Sequence, residues 1–382
     1  MADYLYIHIP FCVKKCIYCD FFSVPYYDES EIQAYADALC KELSLKKHLS
    51  GLLKAAYFGG GTPTLLPADC FSQLFTCMKD NYRFSPDIEI TVEANPGTID
   101  AAKIELLLSL GVNRLSVGVQ SFNDDELATL GRIHSSDEAW QSIESIKRAG
   151  LKNFSIDLMY GIPGQTMESW KESLRRAAEL SPSHISAYEL TPEEHTPLYP
   201  LIQSHKIIML DEDLILEMYN DAIDFLAGSG YTHYEISNFS KPGFECVHNL
   251  NYWDRGDYIG AGAGAHSFIS AVRSINTTDI NEYIAELDNG HIPEIQSMKL
   301  TPEDALKEFI FLSLRKTAGI SLAKIPHMGG TLLSAKERLS DAGKELVDEG
   351  YLNISGDFLR LTRKGIVISN TIIVRLFEIL GL

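Results

Sequence analysis

Short apolar runs rich in β-branched and aromatic residues recur along the first half of the chain, at 4–9, 55–58, 88–93, 114–119, 154–159 and 185–190. Between them lie stretches in which apolar residues return every three or four positions, among them 32–45, 101–110, 137–149 and 167–180. The short runs predict strands and the longer periodic stretches predict amphipathic helices. Their alternation predicts βαβ units and a parallel sheet. Six units are too few for a closed eight-stranded barrel, so the expected fold class is α/β, a partial (β/α)6 barrel. After Thr191 the pattern changes. A helix is expected at 212–227, then a loop-and-strand stretch, 234–275, rich in Gly, His and aromatics. Helices are expected at 303–315 and 332–349, followed by a hairpin of 351–354 and 358–361 around Ser355-Gly356-Asp357. These last elements predict a smaller C-terminal α+β, winged-helix-like module. The expected division is 1–235 for the barrel, 236–300 for a linker segment and 301–382 for the module.

Polar and special residues gather where the predicted strands end. Cys12 follows the first strand and Gly59-Gly60-Gly61-Thr62-Pro63-Thr64 the second. Glu93 ends the third and Gln120 the fourth, while Asp157 lies in the fifth, before Tyr160-Gly161-Ile162-Pro163-Gly164. The carboxyl ends of parallel strands converge on one face of such a barrel, where active sites form. Five units therefore present chemistry at one rim.

Composition narrows the setting. The 33 basic residues stand against 52 acidic ones, a net charge of −19. No basic stripe suited to tracking phosphates is present, which argues against a nucleic-acid partner. No run of 18 apolar residues exists. The apolar tail, 365–382, is broken by Asn370, Arg375 and Glu378, which suits an amphipathic helix packed on its own domain, with a membrane-surface contact as the alternative. The seven cysteines are an odd number without paired spacing, against a disulfide framework and for a reducing, cytoplasmic setting with thiolates as metal ligands.

Three of those cysteines crowd into Cys12-Val-Lys-Lys-Cys16-Ile-Tyr-Cys19. A closed zinc site needs four ligands, commonly as two spaced pairs, and no second pair is present. Three thiolates on a [4Fe-4S] cube leave one iron open to chelate a substrate.

Cys-x3-Cys-x2-Cys after a first strand resembles the signature of the radical S-adenosylmethionine (SAM) superfamily. The preceding Tyr6-Ile7-His8-Ile9-Pro10-Phe11 is similar to the branch that holds oxygen-independent coproporphyrinogen III oxidase and the heme chaperone HemW, and the similarity runs through the whole chain. The resemblance implies a [4Fe-4S] cluster on Cys12, Cys16 and Cys19, with SAM on the open iron. It implies that Gly60, Gly61 and Thr62 contact the methionyl part of SAM and that Glu93 accepts a hydrogen bond from its ammonium or ribose. By the same match Gln120, Arg132 and Asp157 line the nucleoside or substrate side, and Tyr6 and Tyr18 flank the cluster. A carboxylate within an apolar strand needs a partner, so an Arg132–Asp157 pair is expected.

Three features separate the two functions of that branch. The oxidases resemble Cys-Gly-Cys where Cys19-Asp20-Phe21 stands here. They carry an N-terminal extension for which the 11 residues before Cys12 leave no room. His248-Asn249-Leu250-Asn251-Tyr252-Trp253 matches the HNxxYW motif of the chaperone branch, and Gly262-Ala263-Gly264-Ala265-His266-Ser267 also recurs there. The resemblance therefore implies a chaperone that binds heme and passes it to apo-hemoproteins such as respiratory enzymes, without coproporphyrinogen oxidase activity. Heme contact is expected at His248, Asn249, Tyr252 and Trp253, with His248 as axial ligand and His233, His266 and Cys246 as competitors. A histidine among aromatics is otherwise a hydrogen-bonded packing residue. The alternatives are the oxidase itself and a radical SAM enzyme acting on another substrate.

Overall fold

The computed structural model describes residues 1–25, 28–325, 339 and 343–382. Six strands run parallel and in chain order: β1 (Ala2–Ile9), β2 (Ser50–Gly60), β3 (Arg83–Ala94), β4 (Arg114–Gln120), β5 (Phe154–Tyr160) and β6 (His184–Glu189). The expected partial α/β barrel is therefore present. Three further strands extend it: β7 (Thr232–Glu235), β8 (Asn238–Ser240) and β9 (Ile259–Ala261). β8 and β7 add antiparallel strands beyond β6, and β9 pairs parallel with β1 at the other edge.

The segment 236–300, read above as a linker, thus supplies one edge strand of the main sheet, β9, and the strand next to the other edge, β8. Buried polar groups hold its short strand β9. Lys46, paired with Glu42 at 2.6 Å, donates to the Gly260 carbonyl, and the Glu42 carboxylate accepts from the Gly262 amide and the Tyr283 hydroxyl. Every member of that network is partnered, which a buried charge requires.

Alternation along the strands sorts their side chains. In β4, Leu115, Val117 and Val119 are fully buried against the outer helices, while Arg114, Ser116 and Gly118 face the barrel interior. In β5, Ile156 and Leu158 are likewise buried and Asp157 faces inward. The helix Met167–Glu179 lays Trp170 and Leu174 on the sheet, with the indole N–H of Trp170 donating to the Met218 carbonyl.

Beyond Leu300 a second core forms around Phe309, Ile310, Leu314, Leu352 and Leu359. The hairpin Leu352–Ser355 and Phe358–Leu361 is present, joined by a short strand at Ile320–Ser321. Of the helix expected at 332–349, residues 343–348 are helical, and all others before them except Leu339 lie outside the described residues. The tail helix Ser369–Leu380 buries Ile372, Ile373, Leu376 and Leu380 in this core. No helix among the described residues is long and apolar enough to cross a membrane.

Candidate functional site

At the carboxyl ends of the parallel strands the fold encloses a cavity of about 400 Å³. Cys12, Cys16 and Cys19 line it, together with Tyr18, Gly60, Gly61, Thr62, Glu93, Gln120, Arg132 and Asp157. Eleven of the residues expected at the cluster and SAM therefore share one wall space, although they come from five strands and the loops that follow them.

The cysteine loop is pinned at several points. Ile17 donates its amide to the Leu130 carbonyl at 3.3 Å and accepts from the Leu198 amide at 2.8 Å. The amides of Gly61 and Thr62 donate to the Ile9 and Phe11 carbonyls, both at 2.8 Å, so the glycine turn is bonded to the chain that enters the loop. Gly60 has φ +113°, and a Cβ there would lie 2.5 Å from the His8 ring. Only glycine permits that turn.

Glu93 bridges this turn and the sheet. It accepts from the Tyr57 hydroxyl at 2.8 Å and the Gly60 amide at 3.1 Å. Burial pushes its carboxyl up to about 7 against the pull of those donors. The folded chain therefore holds the proton more tightly than the unfolded one, and stability is lost as pH rises from the ordinary glutamate range through 7. Glu93→Gln is expected to remove this loss. Relative to wild type, the variant should gain stability between pH 4.5 and 7.5, by roughly 3 kcal/mol at most. Urea unfolding at a series of pH values checks this, and a constant difference would contradict it.

Gln120 ends β4 with φ 68°, at a register irregularity between Gly118 and Gln120. A left-handed conformation away from glycine costs ~1 kcal/mol or more. It brings the Gln120 amide nitrogen within 2.9 Å of where a Gly118 Cβ would stand. Arg132 Nη2 donates to Asn95 Oδ1 at 2.6 Å and to the Gly118 carbonyl at 2.5 Å, while Nη1 lies 3.6 Å from Cys16 Sγ. Asp157 accepts from Ser116, Ser155 and Ser186. The expected Arg132–Asp157 pair is not made: three hydroxyls satisfy the carboxylate, and Asn95 and a backbone carbonyl take the guanidinium. Burial raises the Asp157 carboxyl, and the serine hydroxyls offset part of that rise.

The three cysteines are free thiols. Burial raises Cys12 and pushes Cys19 up to about 11, so ionisation calls for a cationic partner. Among the described residues no group of three His, Cys, Asp or Glu side chains is placed to hold a metal ion. A cubane binds one thiolate per iron, so its ligands spread more widely than those of one ion. Three soft donors around a cavity fit that group, and the buried Arg132 Nε, without a hydrogen-bond partner, leaves a donor for an anionic ligand beside them.

A family model described as the radical SAM superfamily matches residues 6–177, and one described as the HemN C-terminal domain matches 300–368. The heme chaperone HemW of Bacillus subtilis (strain 168) is 36% identical over 371 residues, covering 96% of this chain and 97% of its own. The chain belongs to the HemW family. The HemW protein of Escherichia coli (strain K12) is 34% identical over 373 residues, covering 97% and 96%. Among solved structures, coproporphyrinogen III oxidase (HemN) from Escherichia coli, a radical SAM enzyme, superposes with a TM-score of 0.83 at 25% identity. It covers 97% of this chain and 89% of its own.

Within this HemW-family fold the expected heme segment is mostly interior. It forms the helix Val247–Trp253, whose first amides donate to the Glu89 carboxylate. Asn249 reaches the cavity, but His248, Tyr252, Trp253 and also Tyr6 are not on its wall. His248 is 1% exposed, lies 5.1 Å from the Tyr57 ring centroid and shares a 2.9 Å hydrogen bond with the Tyr252 hydroxyl. Burial pushes it down to about 3, so it is neutral. Tyr6 is bonded to His8 Nδ1 at 2.9 Å. His248 is thus packed among these rings and away from the cavity wall, with its Nδ1 buried and without a hydrogen-bond partner, so this structure does not present it as an axial ligand. His248→Ala is expected to cost about 2–4 kcal/mol, because it opens a cavity and strands the Tyr252 hydroxyl. Heme stoichiometry should stay unchanged. Denaturant midpoints and a hemin titration check both points.

Sequence reasoning missed Asn95, Arg114, Ser116 and Ser186, all on the cavity wall. The available signal was their alternation within apolar strands: Arg114, Ser116 and Gly118 on β4, and Ser186 opposite Asp157.

Proposed function

We propose that this chain binds heme and hands it to apo-hemoproteins, on a scaffold that carries a [4Fe-4S] cluster and SAM. The observation that carries this reading is the near full-length likeness to heme chaperones HemW, at 34–36% identity for the two named relatives. The oxidase is less favoured, because the likeness to HemN is weaker, at 25%.

Cys12, Cys16 and Cys19 would hold the cluster. Gly60, Gly61 and Thr62 would receive the methionyl part of SAM, Glu93 its ammonium or ribose, and Gln120, Arg132 and Asp157 its remaining polar groups. The cluster, when bound, supplies an open iron that chelates SAM and an electron for its cleavage. The chain's own residues do the positioning. Asn95 and the Gly118 carbonyl aim Arg132 beside Cys16. Tyr57 and the Gly60 amide aim Glu93. Three serines fix Asp157 as an acceptor inside the barrel. Transfer to membrane-bound recipients would use the C-terminal helix, where Val374 and Ile379 are exposed.

Incubation of the reconstituted protein with SAM, reductant and coproporphyrinogen III is expected to yield no appreciable protoporphyrinogen. Sustained turnover would replace this reading by the oxidase.

A further inference from the structure

We propose that the heme docks at the mouth of the cysteine cavity, on Val13, Phe21 and Ile133, with His195 as its axial ligand and Lys14 and Lys15 facing its propionates. This inference rests on the heme-chaperone reading and names the surface that reading needs. Val13, Phe21 and Ile133 are 52%, 70% and 59% exposed. Scattered apolar residues on a surface are ordinary, but these three all line one opening, although they come from two separate loops. A flat apolar ligand laid across that rim would cover all three.

Charge selects the ligand and its orientation. The chain carries a net charge of −19, which repels an anion in general. Lys14 and Lys15 nevertheless stand at this mouth, and Lys15 Nζ donates to the Phe21 carbonyl at 3.2 Å. Glu189, the last residue of β6, and Glu193, from the loop after it, line the same cavity. A ligand with an apolar plane and carboxylates on one edge would turn that edge to the lysines and away from the glutamates. Heme has that chemistry.

An axial ligand needs an accessible basic nitrogen, which His248 lacks. His195 has a side chain 71% exposed, and its Nε2 is paired with Asp20 Oδ1. Asp20 adjoins Phe21 and lines the mouth. With Nε2 turned to the Asp20 carboxylate, Nδ1 is the ring nitrogen left to meet a metal. Carboxylate-backed histidines are the usual form of imidazole metal ligands. Docking at the mouth would also leave the iron cargo on the outside of the barrel, where a recipient can reach it.

The test is a titration of the anaerobically reconstituted full chain with ferric protoporphyrin IX, followed by absorption. Wild type should bind one equivalent. F21S combined with I133S is expected to weaken binding at least about tenfold. H195A should shift the Soret band and weaken binding by about tenfold. The dimethyl ester of the same porphyrin should bind more weakly than the diacid, and K14E with K15E should abolish that preference. Iron and sulfide counts on each variant report whether the cysteine loop is intact, and the ester comparison needs no variant at all. Unchanged affinity and Soret band in H195A and in cluster-loaded F21S/I133S, or equal binding of ester and diacid, would overturn the docking site while leaving the chaperone reading in place. Failure of wild type to take up the porphyrin would overturn both.

Discussion

Cys12→Ser is expected to leave a folded chain that no longer holds an iron–sulfur cluster. Cys12 is only half-buried, and its sulfur makes weak polar contacts, 3.5 Å from Thr62 Oγ1 and beside the Ser23 hydroxyl, so the fold loses little. The site loses a great deal. Serine offers a hard, reluctantly ionised oxygen where a soft thiolate is needed. With two thiolates remaining, the cube has lost one of three protein bonds. Iron and sulfide after anaerobic reconstitution should fall from about four of each per chain, the cluster's formula, to near background, and SAM binding should fall with them. A serine variant that retains full iron and its absorption band would remove Cys12 from the ligand set.

Gly61→Ala is expected to disturb both halves of the site at once. A Cβ at Gly61 would stand 2.6 Å from the Phe11 carbonyl oxygen and 2.8 Å from the Pro10 carbonyl. These are backbone atoms and cannot rotate away. The Phe11 oxygen also accepts the Thr62 amide, so relief of the clash pulls that bond apart. The displaced segment is the one that leads into Cys12. An overpacked contact of this kind costs about 1–3 kcal/mol or more. Because the strain falls between the glycine turn and the cysteine loop, SAM affinity should fall by more than the stability loss implies. Calorimetric SAM titration beside a denaturant curve checks this; wild-type values in both would show that the turn yields without cost.

The strands that carry the site were legible because their apolar runs are long enough to show a period, as at 114–119 and 154–159. β9 was not, since it has three residues, one of them Gly260, and is held by the distant pair Glu42–Lys46 rather than by its own composition. The cysteine spacing and the glycine turn were legible because their chemistry is local. The partners of Arg132 and Asp157 were not, because strand register decides them: Ser186 sits opposite Asp157 only through the pairing of β5 with β6. His248 shows the same limit in another form. A motif identifies residues without reporting depth, and Tyr57 and Tyr6 from strands far back in the chain bury its ring.

Transfer of heme is the most direct test of the whole account. The reconstituted protein is loaded with one equivalent of ferric protoporphyrin IX, freed of excess, and mixed with the apo form of a respiratory hemoprotein while the recipient's Soret band is followed. The account predicts that the recipient fills faster than it does from the same heme held on serum albumin. Filling no faster than from albumin, or none at all, would contradict it.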